Sequence, residues 1–251
     1  MTAIARLTRA ELRKLATTRA FAITLAISVA LAVISVAVNA FTAGRNGTPA
    51  LGTAASTYQM LKLGGVSSVA MLVLGIIASG GEYRHRTIIP ATLITPRRGT
   101  QVAAKTIATA IAGVVLSGLT FGLGLATVVA ELHARGIQYL PAATGRMFVG
   151  SVIASTLFGV IGVALGYLTR STIAAVAGAV GWVLFAELVI LRTLAPQLAK
   201  WLITGTAFTL TNPPASSAAN LPPAIAAGVL GAYAVALLIA ATQVVLRRDV
   251  T

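Results

Sequence analysis

Six apolar stretches, each about as long as a lipid bilayer is thick, constrain this chain more than any other feature of its sequence. A helix needs about 20 mostly apolar residues to cross the roughly 30 Å of hydrocarbon in a bilayer. The stretches cover residues 20–41, 58–79, 102–130, 147–169, 172–194 and 224–246. Charged residues make up only 10% of the chain, against about 25% in soluble domains. The sequence therefore predicts an all-α polytopic membrane protein, with a single transmembrane domain over residues 1–251.

The basic residues predict how the chain is oriented, because cytoplasmic segments of membrane proteins carry an excess of Lys and Arg. One set of segments holds Arg6, Arg9, Arg13, Lys14, Arg19, Arg84, Arg86, Arg97, Arg98, Lys105, Arg170, Arg247 and Arg248, and the opposite set holds Arg45, Lys62, Arg135, Arg146, Arg192 and Lys200. The richer set predicts that both termini lie in the cytoplasm, and the Ala- and Arg-rich usage indicates a bacterium, so the expected location is a bacterial plasma membrane. The same set also accounts for the net charge of +14 without a nucleic-acid partner. Lys62 and Lys105 lie near span ends, and we expect their ammonium groups to snorkel to water.

Residues 2–18 precede the first span and predict an amphipathic elbow helix. At roughly 100° per residue, the apolar side chains fall within an arc of about 140° and most arginines gather opposite them. Such a helix lies in the membrane interface, among lipid headgroups. Glu11 projects on the apolar side. It either pairs with Lys14 at i+3 or reaches a basic residue of another cytoplasmic segment.

Residues 195–223, between the fifth and sixth spans, predict a re-entrant or interfacial segment on the outer side of the membrane. The apolar part, 198–210, is too short to cross, and the two Pro-Pro pairs that follow it stop helices. Packing against protein satisfies the backbone of such a segment. Glu187 in the fifth span is an intramembrane acid and therefore a functional candidate. We favour a structural role, as an ion pair with Arg192 or Lys200.

The cytoplasmic segment 80–101 has the most informative charge pattern. Charges stand at both ends of a short apolar centre, 88–94, which suits a short helix pressed between the bilayer and a soluble partner. Together with the basic elbow (Arg-Ala-Glu-Leu-Arg-Lys, 9–14) and the six spans, the stretch Glu-Tyr-Arg…Thr…Thr-Pro-Arg-Arg resembles the membrane subunit of an ABC-2-type transporter. The resemblance covers nearly the whole chain in layout.

The resemblance implies which residues contact an ATPase. In this family the segment after the second span is a coupling helix that docks into a groove on the ATPase subunit. The implied coupling residues are Glu82, Tyr83, Arg84, His85, Arg86, Thr87, Arg97 and Arg98, and the implied elbow residues are Glu11, Arg13 and Lys14. Pro90 departs from the unbroken helix of relatives and implies a shorter coupling helix.

ATP chemistry is expected in a partner of this chain. The sequence has no Gly-x-x-x-x-Gly-Lys-[Ser/Thr] phosphate loop. The resemblance therefore implies that two separate ATPase subunits bind ATP and Mg²⁺, and that two copies of this chain complete the pump. His85 and His133 lie on opposite sides of the membrane by the predicted topology, and no metal or nucleophile motif is present. We expect no catalytic, metal or cofactor site in the chain itself.

The family also implies a substrate path, which runs between the second and fifth spans of both copies. Candidates on those spans are Ser67, Ser68, Met71, Trp182 and Phe185. The apolar surroundings favour an apolar or amphipathic substrate, and we expect export because no feature points to a substrate-delivering binding protein. Two alternatives stay open: an ion-gradient-driven secondary transporter, and a membrane scaffold that recruits a soluble partner through the basic segment.

Small residues recur at helix-packing spacing along three predicted spans. They are Gly118 and Gly122, then Gly159, Gly162 and Gly166, then Gly178 and Gly181. Such residues allow helix backbones to approach closely. The pattern predicts tight helix contacts without locating an interface between copies.

Overall fold

Apolar runs long enough to cross a bilayer must satisfy their backbone hydrogen bonds within the segment, which favours helices, and in the computed structural model of the chain they form helices. The structure describes residues 3–45, 47–84, 98–137, 140–212 and 221–247. The elements are α1 (Ala3–Thr17), α2 (Arg19–Thr42), α3 (Ala54–Met60), α4 (Gly64–Arg84), α5 (Arg98–Ala134), α6 (Thr144–Thr169), α7 (Thr172–Gly181), a π-helix (Trp182–Leu191), α8 (Arg192–Leu194), α9 (Pro196–Ala199), α10 (Ile203–Thr211) and α11 (Pro223–Arg247). These described ranges contain no β-strand. The all-α prediction is confirmed.

Five helical stretches within these described ranges are long and apolar enough to cross a membrane. They are Arg19–Thr42, Ala54–Tyr83, Gly99–Ala134, Thr144–Thr169 and Pro223–Leu246. Each corresponds to one of the predicted spans. The third is the longest, because α5 has 37 residues, which at 1.5 Å per residue is about 55 Å of helix. It therefore extends beyond roughly 30 Å of hydrocarbon.

The remaining predicted span, 172–194, is helical but changes its hydrogen-bonding register. The α-helix α7 passes directly into the π-helix at Trp182. The apolar helix here, Thr172–Glu187, is shorter than the other five. A sixth crossing therefore stays a prediction.

Backbone-to-backbone contact between α4 and α6 holds the centre of the bundle together. A Cβ on Gly162 would lie 2.2 Å from the carbonyl oxygen of Leu72, and one on Gly75 would lie 2.3 Å from that of Gly159. No side chain fits at such a distance, so only glycine permits this approach. The predicted close packing through Gly159 and Gly162 is confirmed, and Gly166 packs equally tightly against α4.

The other predicted packing glycines behave differently. No heavy atom of a neighbouring element lies within 4 Å of where a Cβ would stand on Gly118, Gly122, Gly178 or Gly181. These four positions therefore make no close helix contact within the part of the chain that the structure describes.

Helix α2 presents large apolar side chains outward along most of its length. Ile23, Ile27, Leu31, Ile34, Val38 and Phe41 are all exposed. A contiguous apolar face of this kind is rare on a monomeric soluble protein. It fits a helix that contacts lipid.

Helix α4 continues further than the predicted second span, which ended at residue 79. It runs through Gly80 and Gly81 to Arg84, so Glu82 and Tyr83 lie on its last turn rather than on a separate helix. In this last part of α4, Gly80 lies against the start of α7: a Cβ there would lie 2.9 Å from the side-chain oxygen of Thr172. The missing side chain lets α7 begin against α4. Residues 85–97 lie outside the described part of the chain.

The segment between the fifth and sixth predicted spans contains two short helices, α9 and α10. Gly205, Thr206, Ala207, Thr209, Leu210 and Thr211 on α10 are all buried, and α10 packs against α6 and α11. This burial agrees with the expectation that the segment packs on protein. Trp201, which the same expectation placed inside, is instead 44% exposed.

Candidate functional site

Four charged side chains from three helices form a closed ring at one end of the bundle. The ammonium nitrogen of Lys14 lies 2.6 Å from Oε1 of Glu82, and that of Lys105 lies 2.9 Å from the same oxygen. Lys105 also lies 2.6 Å from Oε2 of Glu11, and Lys14 lies 3.9 Å from Oε1 of Glu11. Acids and bases alternate, so the ring, called here the ion ring, carries no net charge.

Two charges of the ion ring are buried and must therefore be paired. Lys105 is 3% exposed and Glu82 is 9% exposed, and a buried charge is tolerated only when it is paired. Lys105 therefore does not snorkel, and that prediction was wrong. Its ammonium lies inside the bundle because two carboxylates from α1 and α4 meet it there.

The ring joins the predicted elbow helix to the bundle. Glu11 makes both contacts that the sequence left as alternatives: the one to Lys14 within α1 and the one to Lys105 on α5. Next to these charges, the buried Leu15 packs in one apolar cluster with Leu74 and Ala108. Helix α1 is thus held by charge pairs and by apolar contact together.

Lys14 is the most accessible member of the ring. Partial burial would lower the pKa of its ammonium group, but the hydrogen bond and the attraction from Glu82, with help from Glu11, outweigh burial and raise the pKa. The folded chain therefore favours the charged form of Lys14.

Tyr83 connects the end of α4 to the end of α6. Its ring makes an edge contact with Tyr167, with 6.3 Å between ring centroids, and the guanidinium of Arg170 lies 5.5 Å from the Tyr83 centroid. Arg170 adopts a left-handed backbone conformation, with φ of 54°, just after α6 ends. This conformation is common in the residue that follows a helix, and here it places a cation over an aromatic face.

The structure brings together only part of the predicted coupling set. Glu82 and Tyr83 lie within or beside the ion ring, whereas Arg84 and Arg98 are described only as helix ends. Of the elbow residues, Glu11 and Lys14 belong to the ring and Arg13 is exposed outside it. His85, Arg86, Thr87 and Arg97 lie outside the described residues.

The candidate pathway residues fall into two groups. Ser67 and Ser68 lie 2.8 Å and 3.4 Å, oxygen to oxygen, from Ser155 on α6, and all three are buried. Met71 is fully buried, while Trp182 and Phe185 are 51% and 67% exposed. The structure therefore places the first group between α4 and α6 and the second on the outer face of the π-helix. A path formed between two copies of the chain stays a prediction.

Glu187 is buried, with 1% exposed, but its contacts differ from those predicted. Its Oε1 accepts a hydrogen bond of 2.6 Å from the indole of Trp182, and its Oε2 accepts one of 2.6 Å from the backbone nitrogen of Thr204 and another from the Thr204 hydroxyl. Lys200 donates instead to Gln197. The predicted pair with Lys200 was wrong. The side chain of Arg192 is outside what the structure describes, so the alternative pair with Arg192 stays a prediction.

These contacts explain the change of register at the π-helix. In an α-helix, residues five apart point about 140° away from each other, whereas the i to i+5 hydrogen bonds of a π-helix bring them to one face. Trp182 and Glu187 are five apart and hydrogen-bonded. Glu187 also caps the N-terminus of α10, where the cap residue Leu202 offers no side-chain acceptor.

A cavity of about 300 Å³ lies between α4, the π-helix and α10. Its wall is mostly apolar, with polar groups from Lys62, Ser68, Thr204, Thr211 and Asn212. We call it the α10 cavity. It lies near the start of α4, whereas Glu82 lies near the end of that helix, so it and the ion ring are roughly 27 Å apart along the helix axis.

Among the described residues, no group of three or more His, Asp or Glu side chains is placed to hold a metal ion. Comparison with models of known protein families and with curated proteins finds no match to this chain. The functional interpretation therefore rests on the geometry above.

Proposed function

We propose that this chain is the membrane-spanning permease subunit of an ATP-binding cassette exporter. In this proposal two copies form the substrate path in a bacterial plasma membrane, and two ATPase subunits supply the energy. The observation that carries it is the ion ring. Glu82 opens the predicted coupling segment, and its carboxylate is bound to Lys14 of the elbow helix and to Lys105 of α5.

This arrangement would transmit a force from the ATPase to the transmembrane helices. A force on residues 85–97 acts first on the last turn of α4 and on the first turn of α5, which flank that segment in the chain. The ion ring ties the last turn of α4 to the second turn of α5, where Lys105 lies, and to α1. Buried, fully paired charges are costly to separate. The three helices would therefore move as one unit rather than slide past one another.

The contacts of the acidic residues favour an exporter over an ion-driven transporter. Four of the five acidic residues are described. Glu11 and Glu82 are paired with lysines in the ring, Glu131 pairs with Arg135 on an exposed helix end, and Glu187 accepts three hydrogen bonds. Each of these carboxylates serves a structural contact, whereas an ion-coupled transporter needs an acid that can release its partner.

The test is co-expression with ATP-binding cassette ATPase subunits of the same organism. The proposal expects a stable complex and stimulated ATP hydrolysis in proteoliposomes. Arg86→Glu should weaken ATPase binding without lowering the melting temperature of the isolated chain, while Glu82→Gln should lower that temperature because Glu82 is bound within the chain. Failure of every such ATPase to bind the chain or respond to it would overturn the proposal. Recruitment without transport would instead support the membrane-scaffold alternative.

A further inference from the structure

The α10 cavity has a polarity that fits one class of ligand. At the start of α10, the carboxylate of Glu187 is already occupied by Thr204 and Trp182. Lys62 lines the cavity toward the end of α10: Ser67, five residues after it, contacts Ser155 on α6, and Gly150, five residues before Ser155, packs on Leu210. No acidic side chain in the described part of the chain pairs with the ammonium group of Lys62. A charged group of a ligand in this cavity would therefore lie beside the cation Lys62.

A second cation reinforces that end of the cavity. Arg146 donates a hydrogen bond of 3.0 Å to the carbonyl oxygen of Asn212, and Asn212 is itself part of the cavity wall. The end near Lys62 and Asn212 is thus positive. An anionic group placed there would be attracted by Lys62 at close range.

The rest of the wall is apolar and leads toward the lipid. Gly65, Val69 and Leu184 line the α10 cavity and also a groove of about 430 Å³ between α2 and α4. The groove includes Ile27 and Leu31, which are exposed on the face of α2 that fits contact with lipid. A molecule dissolved in the bilayer could therefore reach the cavity from the side.

We infer that the α10 cavity binds an amphiphile from the membrane that has an apolar chain and an anionic head group. The apolar chain of the amphiphile lies in the cavity and its adjoining groove, and its anionic head group lies against Lys62. This inference concerns binding alone and holds for the isolated chain. Its failure would leave the proposed coupling to an ATPase untouched, because no ATPase takes part in the test.

The experiment uses photoactivatable lipids that carry a diazirine in the acyl chain. The purified full-length chain in nanodiscs is exposed to photoactivatable palmitate, to photoactivatable phosphatidylglycerol, and to the matched uncharged fatty alcohol. The first two carry a carboxylate and a phosphodiester, and comparing them identifies the source of the head group. Mass spectrometry then locates the labelled peptides.

The expected result is labelling of cavity-wall peptides that include Phe158 or Phe208, by at least one anionic probe and more weakly by the alcohol. Lys62→Gln should reduce this labelling by about 10-fold or more, because a charge-assisted contact is lost, and Lys62→Arg should retain it. Lys200→Gln is the matched control and should leave labelling unchanged, since Lys200 donates to Gln197 away from the cavity wall.

A second pair of variants tests the apolar part of the site. A Cβ on Gly65 or on Gly118 meets no atom of a neighbouring element within 4 Å, so the first atom of a side chain is accommodated at both positions, and the melting temperature of each leucine variant checks that it folds. Gly65→Leu should block labelling because it fills the junction of cavity and groove, whereas Gly118→Leu on α5 should not. Equal labelling by the alcohol, no effect of Lys62→Gln, or labels confined to other surfaces would each overturn the inference.

Discussion

The ammonium group of Lys105 lies 2.9 Å from the carboxylate of Glu82, where the end of α4 meets the start of α5. Both side chains are buried. This pair links the two helices on either side of the predicted coupling segment. Glu11 and Lys14 extend it to α1, so a single group of charges fixes the relative position of three helices.

Replacing Lys105 by methionine should be strongly destabilising. The substitution keeps the apolar stem but leaves Glu11 and Glu82 facing each other with only the more exposed Lys14 between them. Removing one partner of a buried ion pair costs about 3–5 kcal/mol. The expected result is a marked fall in melting temperature, measured on the chain in detergent.

An exposed ion pair on the same helix provides the control for this variant. Arg135 and Glu131 lie 2.5 Å apart at the other end of α5, and exposed pairs of this kind contribute about 0–1 kcal/mol. Arg135→Met should therefore change the melting temperature little. If the two methionine variants lose equal stability, the ion ring does not hold the helices as described.

The elements of the fold could be read from the sequence because they depend on local pattern. Apolar runs of sufficient length predict the five described helices that are long enough to cross a membrane, and the periodicity of residues 2–18 predicts that α1 is a helix. The register change at Trp182 could not be read in this way. The hydrogen bond between Trp182 and Glu187 accompanies it, and Glu187 is also bound by Thr204, 17 residues further along the chain, a proximity that no local pattern encodes.

Only part of the candidate site could be predicted from the sequence, for a related reason. The sequence offered Glu11 a basic partner, either Lys14 or a residue of another cytoplasmic segment, whereas Glu82 was expected to contact an ATPase and not a lysine of its own chain. Lys105 was assigned to the membrane surface because it lies near a span end. Its partners come from helices that pack over it, and this packing is a property of the tertiary structure.

Gly162→Ala should disturb the α4–α6 contact. Its new methyl group would stand 2.2 Å from a backbone oxygen of α4, and neither backbone can yield without separating the helices. Overpacking of this kind costs about 1–3 kcal/mol or more. Thermal unfolding in detergent should show a lower midpoint.

Gly118→Ala is the matched control for the glycine prediction. It introduces the same atom into a helix at a position where nothing lies within 4 Å. Alanine has a higher helix propensity than glycine, so stability should be equal or slightly raised. A lower midpoint for Gly118→Ala in the isolated chain would contradict the packing described here.

Glu187→Gln should loosen the contact between the π-helix and α10. The carboxylate accepts hydrogen bonds on both oxygens, whereas an amide has one oxygen and would turn its NH₂ group toward a donor. Leaving a buried donor unpaired costs about 1–3 kcal/mol. In a Trp201→Phe background Trp182 is the only tryptophan, and its fluorescence emission should shift. Glu131→Gln in the same background should leave the emission unchanged, and an unshifted spectrum for Glu187→Gln would contradict the assigned contact.

Lys14 should give the ion ring a dependence on alkaline pH. Its raised pKa means that the folded chain stabilises the charged form, and this stabilisation is fully present below the pKa of a lysine in the unfolded chain, about 10.4. It is lost as the pH rises through the raised pKa. Because 47% of the Lys14 side chain is exposed, the contribution is less than about 1 kcal/mol. Melting temperatures of the wild type and of Lys14→Gln should therefore differ by a small constant amount from about pH 8 to 10 and converge at higher pH. A difference that grows with pH would show that the charged form of Lys14 opposes folding, contrary to its place in the ring.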